Sequence, residues 1–477
     1  MATENYGSYG ELGKSQAVTP VSTDTVVIGV GACAGGELNH AYTITSVSDY
    51  NSQLDGALGD GFNLSDLVEA AFNIAGINRI VLIPVSHSNT FNSQEYMGDA
   101  GLFTGVYAVE AYLRDNPSVT NLIVAPNVTD LEVLSALNSI CIKADGHWQS
   151  FLVYDLAIND NHYNASGVSI PNNIIADKSK SLLSERARCV WGTVQTTARN
   201  IISGAAVQAC RMAASDAVYG VPARCGGNLP VNGISGPVYE QTTETTYTHY
   251  GLIDISSAGI KIETSVGVYV DWNDNAVYST AIPNCEPIEI DGKVGIKSVG
   301  SGHTGYIPSV KETLTETVNI SIPQVIGNQL SADGVCSWIN YGGGNWCTWG
   351  DHTSAYENNT IADERGRFDN TIRMQMMITN RFQLKYRFSI DDPMDLGMRN
   401  DIIDEELTYL NHLVSRQALI GEPSVEFRKI DNGIDNIQRG EFTFTIATTP
   451  TIPAKYLNAK VIYTTSGLEV YTTGENA

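Results

Sequence analysis

Three short stretches carry residue types that could do chemistry. Thr25-Val-Val-Ile-Gly-Val-Gly-Ala-Cys-Ala34 reads as a buried strand running into glycines. That is the first half of a dinucleotide fingerprint, in which glycines let the backbone approach a pyrophosphate held at a helix N-terminus. Asp49 lies near the place of the acidic residue that would take a ribose hydroxyl. The chemistry needs a helix directly after the glycines. Gly35-Gly-Glu-Leu-Asn-His-Ala-Tyr-Thr-Ile-Thr45 shows no helical pattern, so a structural strand-to-loop turn is expected. Asp271-Trp-Asn-Asp-Asn-Ala276 starts like a calcium loop but has Ala276 where the sixth-position glycine belongs, and no closing glutamate. Gly342-Gly-Gly-Asn345 lacks the Gly-Lys-Ser/Thr of a phosphate loop.

The remaining chemistry-bearing residues form no set. The eight histidines include no HExxH pair and no zinc spacing with cysteine, and no GxSxG elbow occurs. Cys336 and Cys347 are expected to be core thiols. No cofactor, metal or catalytic residue is therefore assigned. An α/β enzyme using a nucleotide cofactor at the Gly29 cluster stands as the alternative reading.

Charge is more telling. The chain has 28 Lys and Arg against 52 Asp and Glu, a formal net charge of -24. That argues against non-specific binding to nucleic acid or anionic membranes. Scarce positive charge is nevertheless concentrated between Asp363 and Phe388. Arg365, Arg367, Arg373, Arg381, Lys385 and Arg387 lie there, and Asp369 is the only acid between Arg365 and Arg387. Ile372, Met376, Met377 and Phe382 can anchor such a helix to a core. The expectation is a basic face meeting a negative partner, set against the ordinary alternative of a solvated charged face.

Several elements must position these residues. Buried-strand runs occur at Thr25, Arg79, Asn121 and Ser150. Between them, helical spacing appears in Leu64, Leu67, Val68, Ala71, Phe72 and Ala75, closed by Gly76, then in Leu102, Val106, Val109 and Leu113, then in Leu134, Leu137 and Cys141. This alternation predicts an α/β unit with a largely parallel sheet. A helix rich in small residues is expected over 199–216, then a turn-rich loop, Gly220 to Asn228. Residues 246–321 read as strand and turn, a possible insertion. A second long helix from about Leu396 carries Ile403, Leu407, Leu410, Val414 and Ala418, with Gly421 and Pro423 as its stop. Ser424–Lys429 and Glu441–Ala447 suit an antiparallel pair.

At 477 residues, two or more domains are expected. No apolar stretch is long enough to span a bilayer. The N-terminus lacks a signal-peptide pattern, and the scattered cysteines read as reduced, so a cytosolic site of synthesis is expected. Residues 1–24 look like an arm. After 448 the chain ends in strand-like pieces, with Val461, Ile462, Tyr463, Leu468, Val470 and Tyr471 suited to a pleat. A strand outside a domain can join the sheet edge of a neighbouring subunit.

The order of these features resembles the tail sheath proteins of contractile phages and of related phage-tail-like bacteriocins. The resemblance covers most of the chain. It rests on the Thr25-Val-Val-Ile-Gly strand, the Thr43-Ile-Thr-Ser segment, and Asn121-Leu-Ile-Val-Ala-Pro-Asn-Val-Thr-Asp130, where Asn127 replaces the more usual glycine. It continues through Ile202-Ser-Gly-Ala-Ala-Val-Gln-Ala209 and Val221-Pro-Ala-Arg-Cys-Gly-Gly-Asn228 to Asn345-Trp-Cys-Thr-Trp-Gly-Asp-His-Thr353 and the basic helix. His352 stands where arginine is more usual, and residues 246–321 depart most.

The resemblance implies an α/β (α+β overall) fold: an inner α+β domain built from both chain ends, with an inserted outer α/β domain and extended N- and C-terminal β arms. Residues 1–24 would be the N-terminal arm, 25–330 the outer part, 331–448 the inner domain and 449–477 the C-terminal strand arm. It implies a structural subunit that polymerises around a tail tube and contracts to drive the tube through a cell envelope, driven by energy stored at assembly. Partners would be further copies of the chain, the tail tube protein, and baseplate and tail terminator proteins. Neither nucleic acid nor membrane insertion is implied. The location would be a phage tail or phage-tail-like particle, assembled in the host cytoplasm. The six basic residues would face the tube. A capsid or surface-layer subunit is the other polymerising shell that the features allow.

Overall fold

The structure is a computed structural model describing residues 25–116, 118–142, 149–164, 166–247, 310–340, 346–387, 389–465 and 468, with short strands at 260–263, 269–271, 285–290 and 293–298. Structural statements concern these residues. The Gly342–Asn345 loop, most of the Asp271 loop, Phe388, Val470, Tyr471 and the N-terminal arm lie outside them.

Chain order is β1 (Thr25–Ala32), β2 (Tyr42–Ile44), α1 (Val47–Leu54), α2 (Asn63–Glu69), β3 (Ile80–Ser86), α3 (Ser93–Met97), α4 (Ala108–Asp115), β4 (Thr120–Val124), α5 (Leu131–Ile142), β5 (Phe151–Leu156), α6 (Pro171–Lys178), β6 (Ala187–Trp191), β7 (Thr193–Thr196), β8 (Ile201–Ile202) and α7 (Gly204–Tyr219). It continues through β9 (Pro230–Val231), β10 (Ile234–Tyr247), β11 (Ile260–Glu263), β12 (Tyr269–Asp271), β13 (Cys285–Ile290), β14 (Lys293–Ser298), β15 (Val310–Asn319), α8 (Gln324–Ser331), β16 (Val335–Asn340), β17 (Trp346–Trp349), α9 (Asp369–Tyr386), α10 (Leu396–Ser415), β18 (Ser424–Glu426), α11 (Ile434–Gln438) and β19 (Thr445–Ala447).

A nine-stranded sheet in the order β2-β3-β1-β4-β5-β6-β16-β17-β9 forms the body. Neighbours from β3 to β16 pair in parallel, while β2, β17 and β9 are antiparallel at the edges. The sheet is thus mixed rather than largely parallel throughout. Every residue of β1, β3, β4 and β5 is buried, which is why these strands read as continuous apolar runs. The sheet also runs across residue 330, because β16 pairs with β6. A second sheet, β12-β11-β15-β10-β7-β8, is antiparallel, with Val238–Tyr247 opposite Val310–Asn319.

Helix starts follow local chemistry. α2 runs on as a π-helical turn to Ala75 and stops at Gly76, which sits at φ 67°. The helix expected from Leu102 starts later, at α4 behind a 3-10 turn, because Phe103 (φ 54°) and Gly105 (φ 60°) hold left-handed backbone. Leu102 is 74% exposed. The helix expected from Arg199 begins at Gly204, since Arg199 (φ 70°) breaks the chain and Ser203 Oγ caps Ala206 N. α10 ends at Ser415, before the expected Gly421 stop, because Gln417 turns left-handed at φ 61°. Its buried positions are Ile402, Glu406, Leu410 and Leu413, and Ala418 lies beyond it. β18 and β19 form the expected antiparallel pair.

Candidate functional site

Taken in chain order, the parallel strands β3-β1-β4-β5-β6 sit as second, first, third, fourth and fifth, so the order reverses at β1. In such sheets the crevice at the carboxyl ends of the strands beside the reversal is the usual ligand site. Here Asn63, the first residue of α2, fills it. Its Oδ1 accepts from Ala32 N at 2.6 Å, while its Nδ2 donates to Pro126 O at 2.8 Å and Tyr96 Oη at 2.9 Å. The glycines serve this packing. A Cβ on Gly31 would lie 2.3 Å from Asn63 Oδ1, and one on Gly29 would lie 2.3 Å from Leu67 Cδ2. Asn63, at the N-terminus of α2, therefore ties the end of β1 to the chain just beyond β4 at this crevice.

Beside it, Asp66 and Asp155 converge on the N-terminus of α7. Asp155 accepts from Ala205 N (2.9 Å), Asn127 N (2.8 Å) and Ser203 Oγ (2.6 Å). Asp66 accepts from Ser203 N (2.9 Å) and Asn127 Nδ2 (2.6 Å). Burial is the leading cause that pushes Asp66 up to about 8, and it raises Asp155 as well. Asn127 thus bridges two buried carboxylates, with its own backbone left-handed at φ 58°.

The basic run resolves into two populations. Helix α9 is buried along two stripes: Ile372 and Met376 join the main core, while Met374, Met377 and Ile378 join a second cluster with Leu410, Leu413, Leu419 and Val425. Arg373 falls between the stripes. It is 2% exposed and ion-pairs with Asp216 of α7, which also accepts from Thr25 Oγ1 at 2.8 Å. The expectation that Arg373 faces a partner is corrected by this burial: its charge is spent inside the subunit. Arg381 pairs with buried Glu406 at 2.5 Å and stacks over Tyr409 at 3.5 Å. Lys385 meets Glu405 at 2.7 Å and Glu406 at 3.3 Å.

Exposed Arg365 pairs with Asp363, and Arg367 with Glu364 at 2.7 Å. Arg387 is exposed at the end of α9. The run has few acids of its own because α7 and α10 supply them. Glu405 and Glu406 were the available signal, lying on the helix next in sequence.

Asp369 at the start of α9 is fully buried. It pairs with Arg188 of β6 and accepts from Gly226 N at 2.8 Å. A Cβ on Gly226 would stand 2.4 Å from Gln208 Nε2 and 2.7 Å from Asp369 Oδ2, and one on Gly227 would stand 2.7 Å from Gly350 O, so the glycine pair lets this turn pack against all three. Arg188 also donates to Gly350 O, and Thr348 Oγ1 donates to Gly226 O at 2.8 Å. His352 is stacked between Tyr356 (3.7 Å) and Phe368 (5.0 Å). Burial holds its imidazole down at about 4, hence neutral. The Trp-Gly-Asp-His-Thr segment and the Gly226 loop are thus the joint between the sheet and α9.

Val461, Ile462, Tyr463 and Leu468, the residues expected to exchange strands, are 92%, 70%, 81% and 50% exposed, and the first three lie outside any helix or strand of the subunit. The seven described cysteines, Cys336 and Cys347 among them, are buried and free. Among the described residues no group of three or more His, Cys, Asp or Glu side chains could hold a metal.

This architecture, a mixed sheet clamped to two C-terminal helices, is the fold of contractile sheath proteins. A chain of the 6-fold symmetrised baseplate of the anti-feeding prophage is similar over 97% of this chain and 100% of its own, with a TM-score of 0.59 at 14% identity. A chain of the sheath complex of the extracellular contractile injection system PVC, in its contracted state, is similar over 98% and 99%, with 0.59 at 13%. One of the contracted helical sheath of the anti-feeding prophage gives 0.55 at 15%, over 97% and 99%. No protein-family model and no curated protein matches the sequence.

Proposed function

We propose that this chain is a sheath subunit of a contractile phage tail or phage-tail-like particle, polymerising around a tail tube and contracting to drive the tube through a target envelope. The observation that carries the proposal is the full-length likeness to chains of the PVC and anti-feeding prophage sheaths. Two features of the chain support it. At the crevice where an α/β enzyme would bind a nucleotide, Asn63 bonds to Ala32 N and Pro126 O, so its side chain serves internal packing. The chain also exposes apolar residues along a C-terminal segment that belongs to no helix or strand of the subunit.

In this reading the inner layer comprises both arms and the block after 331, with β16 and β17 carrying the sheet of the outer residues 25–330 into it. Val461, Ile462 and Tyr463, continuing to Leu468, Val470 and Tyr471, join the open edges of the β18–β19 hairpin of another copy by backbone pairing. Arg365, Arg367, Lys385 and Arg387 face the tube, with baseplate and terminator proteins at the two ends. Work is stored in contacts between copies, each weak and repeated along the sheath.

Negative-stain microscopy of the concentrated protein tests this. Helical sleeves are expected. A planar or closed lattice would instead point to a surface layer or capsid.

A further inference from the structure

Asn-Gly occurs twice in the chain, at 232–233 and at 432–433. An asparagine before glycine is chemically labile, because no Cβ shields the next amide nitrogen from the side-chain carbonyl carbon. The fold treats the two pairs in opposite ways. Asn432 is 4% exposed. Its Nδ2 donates to Arg428 O at 2.9 Å and to Thr443 O at 2.8 Å, and its Oδ1 accepts from Thr443 N at 2.7 Å. That amide cannot turn toward Gly433 without leaving buried partners unpaired.

Asn232 and Gly233 are both exposed and form the short link between β9 and β10. Among the described residues, neither the Asn232 side chain nor the Gly233 N–H makes a hydrogen bond. Gly233 holds φ 84°, and a Cβ built on it would come no nearer than 3.8 Å to another group. The nitrogen that would attack is therefore open to solvent and base, and the amide that it would attack is untethered.

We infer that Asn232 is a site of spontaneous conversion to isoaspartate, and that this modification loosens the joint between the two large sheets. The Gly233 amide gives its proton to hydroxide, and its nitrogen bonds to Asn232 Cγ. The Cγ–Nδ2 bond breaks, Nδ2 takes up a proton and leaves as ammonia, and a cyclic imide remains. Water then opens the ring. Cleavage at the Asn232 main-chain carbonyl gives isoaspartate, with the chain running through Cβ and Cγ; cleavage at Cγ gives ordinary aspartate. The sum is one water consumed and one ammonia released.

The isoaspartyl form adds a carboxylate and lengthens the main chain by one carbon where there is little slack. Val231 and Ile234, on either side, are 2% and 8% exposed. β9 is held to β17 at the edge of the main sheet, and β10 to β7 in the second. Thr197 N donates to Gly233 O at 2.9 Å across the link. With both ends anchored, the extra carbon is absorbed at the turn, and the Thr197–Gly233 bond is the contact exposed to loss. Both sheets belong to one subunit, so the effect does not depend on assembly into a sheath.

The test ages the full-length protein in mildly alkaline buffer made with oxygen-labelled water, then maps its peptides by mass spectrometry. Labelled isoaspartate and aspartate are expected at 232, forming at least about tenfold faster than at 432. In urea the two sites should convert at similar rates, which shows that the fold makes the difference. Aged wild type should lose thermal midpoint, while aged Asn232→Gln, which closes the imide poorly, should not. Fresh Asn232→Asp carries the charge without the added carbon and should melt like fresh wild type. Equal rates at 232 and 432 in the folded protein, or a label absent from 232, would overturn the site. An undiminished midpoint in fully converted protein would overturn its effect on the joint.

Discussion

Arg373 of α9 and Asp216 of α7 form an ion pair whose side chains are 1% and 3% exposed. Both ions have left water, so their attraction offsets desolvation only while both are present. Burial is the leading influence on Asp216 and raises its pKa; the neighbouring Arg373 opposes that. Arg373→Met should therefore cost about 3–5 kcal/mol, measured by urea unfolding, and Arg373→Glu should leave little folded protein. The double variant Arg373→Met, Asp216→Leu should recover much of the loss, because an apolar pair of similar size leaves no ion unpaired.

Arg365 and Arg367 behave differently. Arg365 is exposed and Arg367 half-buried over the Tyr356 ring, and reversing them breaks pairs with Asp363 and Glu364 that stay in reach of solvent, where such pairs contribute little. Arg365→Glu should melt at the wild-type temperature in calorimetry, and the double Glu variant within a few degrees of it, the difference reporting the Arg367–Tyr356 contact. If they face a tube, sleeves should still form by self-association, but pull-down with tube protein should fall with charge reversal and with added salt.

Asp66 gives a pH signature with a definite sign. Its folded pKa, about 8, lies above its ordinary value of 3.8. The native state therefore holds a proton that the unfolded state has lost between those limits. The associated stability is fully present below about pH 4 and is lost as pH rises toward 8, with a slope approaching ~1.4 kcal/mol per pH unit. Asp66→Asn mimics the protonated acid and can still accept from Ser203 N and Asn127. Its unfolding free energy should match wild type near pH 4 and exceed it at pH 8. Parallel curves for the two proteins would remove Asp66 as the source.

Gly29→Ala and Gly31→Ala test whether the glycines admit helix α2. Each added Cβ would stand 2.3 Å from an α2 side chain, Leu67 or Asn63. Overpacking of this kind costs about 1–3 kcal/mol. Lower thermal midpoints are expected, and NAD should raise the midpoint of neither variant nor of wild type.

These cases show what the sequence could convey. The strands at Thr25, Ile80, Thr120 and Phe151 were legible because burial on both faces writes an unbroken apolar run. The helix from Asn63 to Gly76 was legible because apolar spacing and a terminal glycine agree. Leu102 misled, since its spacing fitted a helix that Phe103 and Gly105 interrupt by positive φ. The role of Arg373 could not be read, because its partner lies 157 residues away. A charge run looks the same whether its counter-ions are on another molecule or on a distant helix of the same one. The two apolar stripes flanking Arg373, at positions 372 and 376 and at 374, 377 and 378, were the local clue that the helix is buried on both sides.

The C-terminal segment offers the sharpest separation of folding from assembly. Tyr456, Leu457, Val461, Ile462 and Tyr463 are between 70% and 92% exposed, so they bury almost nothing within the subunit. Deleting everything after Pro453 removes these side chains and the Lys455–Asp351 pair, in which Lys455 is 41% exposed but Asp351 only 9%, so its loss costs on the order of 1 kcal/mol. The truncated chain should keep its thermal midpoint within a few degrees, yet sediment as a monomer where the full chain forms sleeves. Lys455→Ala, which keeps the arm but frees its root, should assemble with altered kinetics rather than fail. Full-length sleeves from the truncated protein would show the arm to be dispensable. A large drop in midpoint would show that it packs on its own subunit, because a segment cannot both stabilise the isolated fold and be held in reserve for a neighbour.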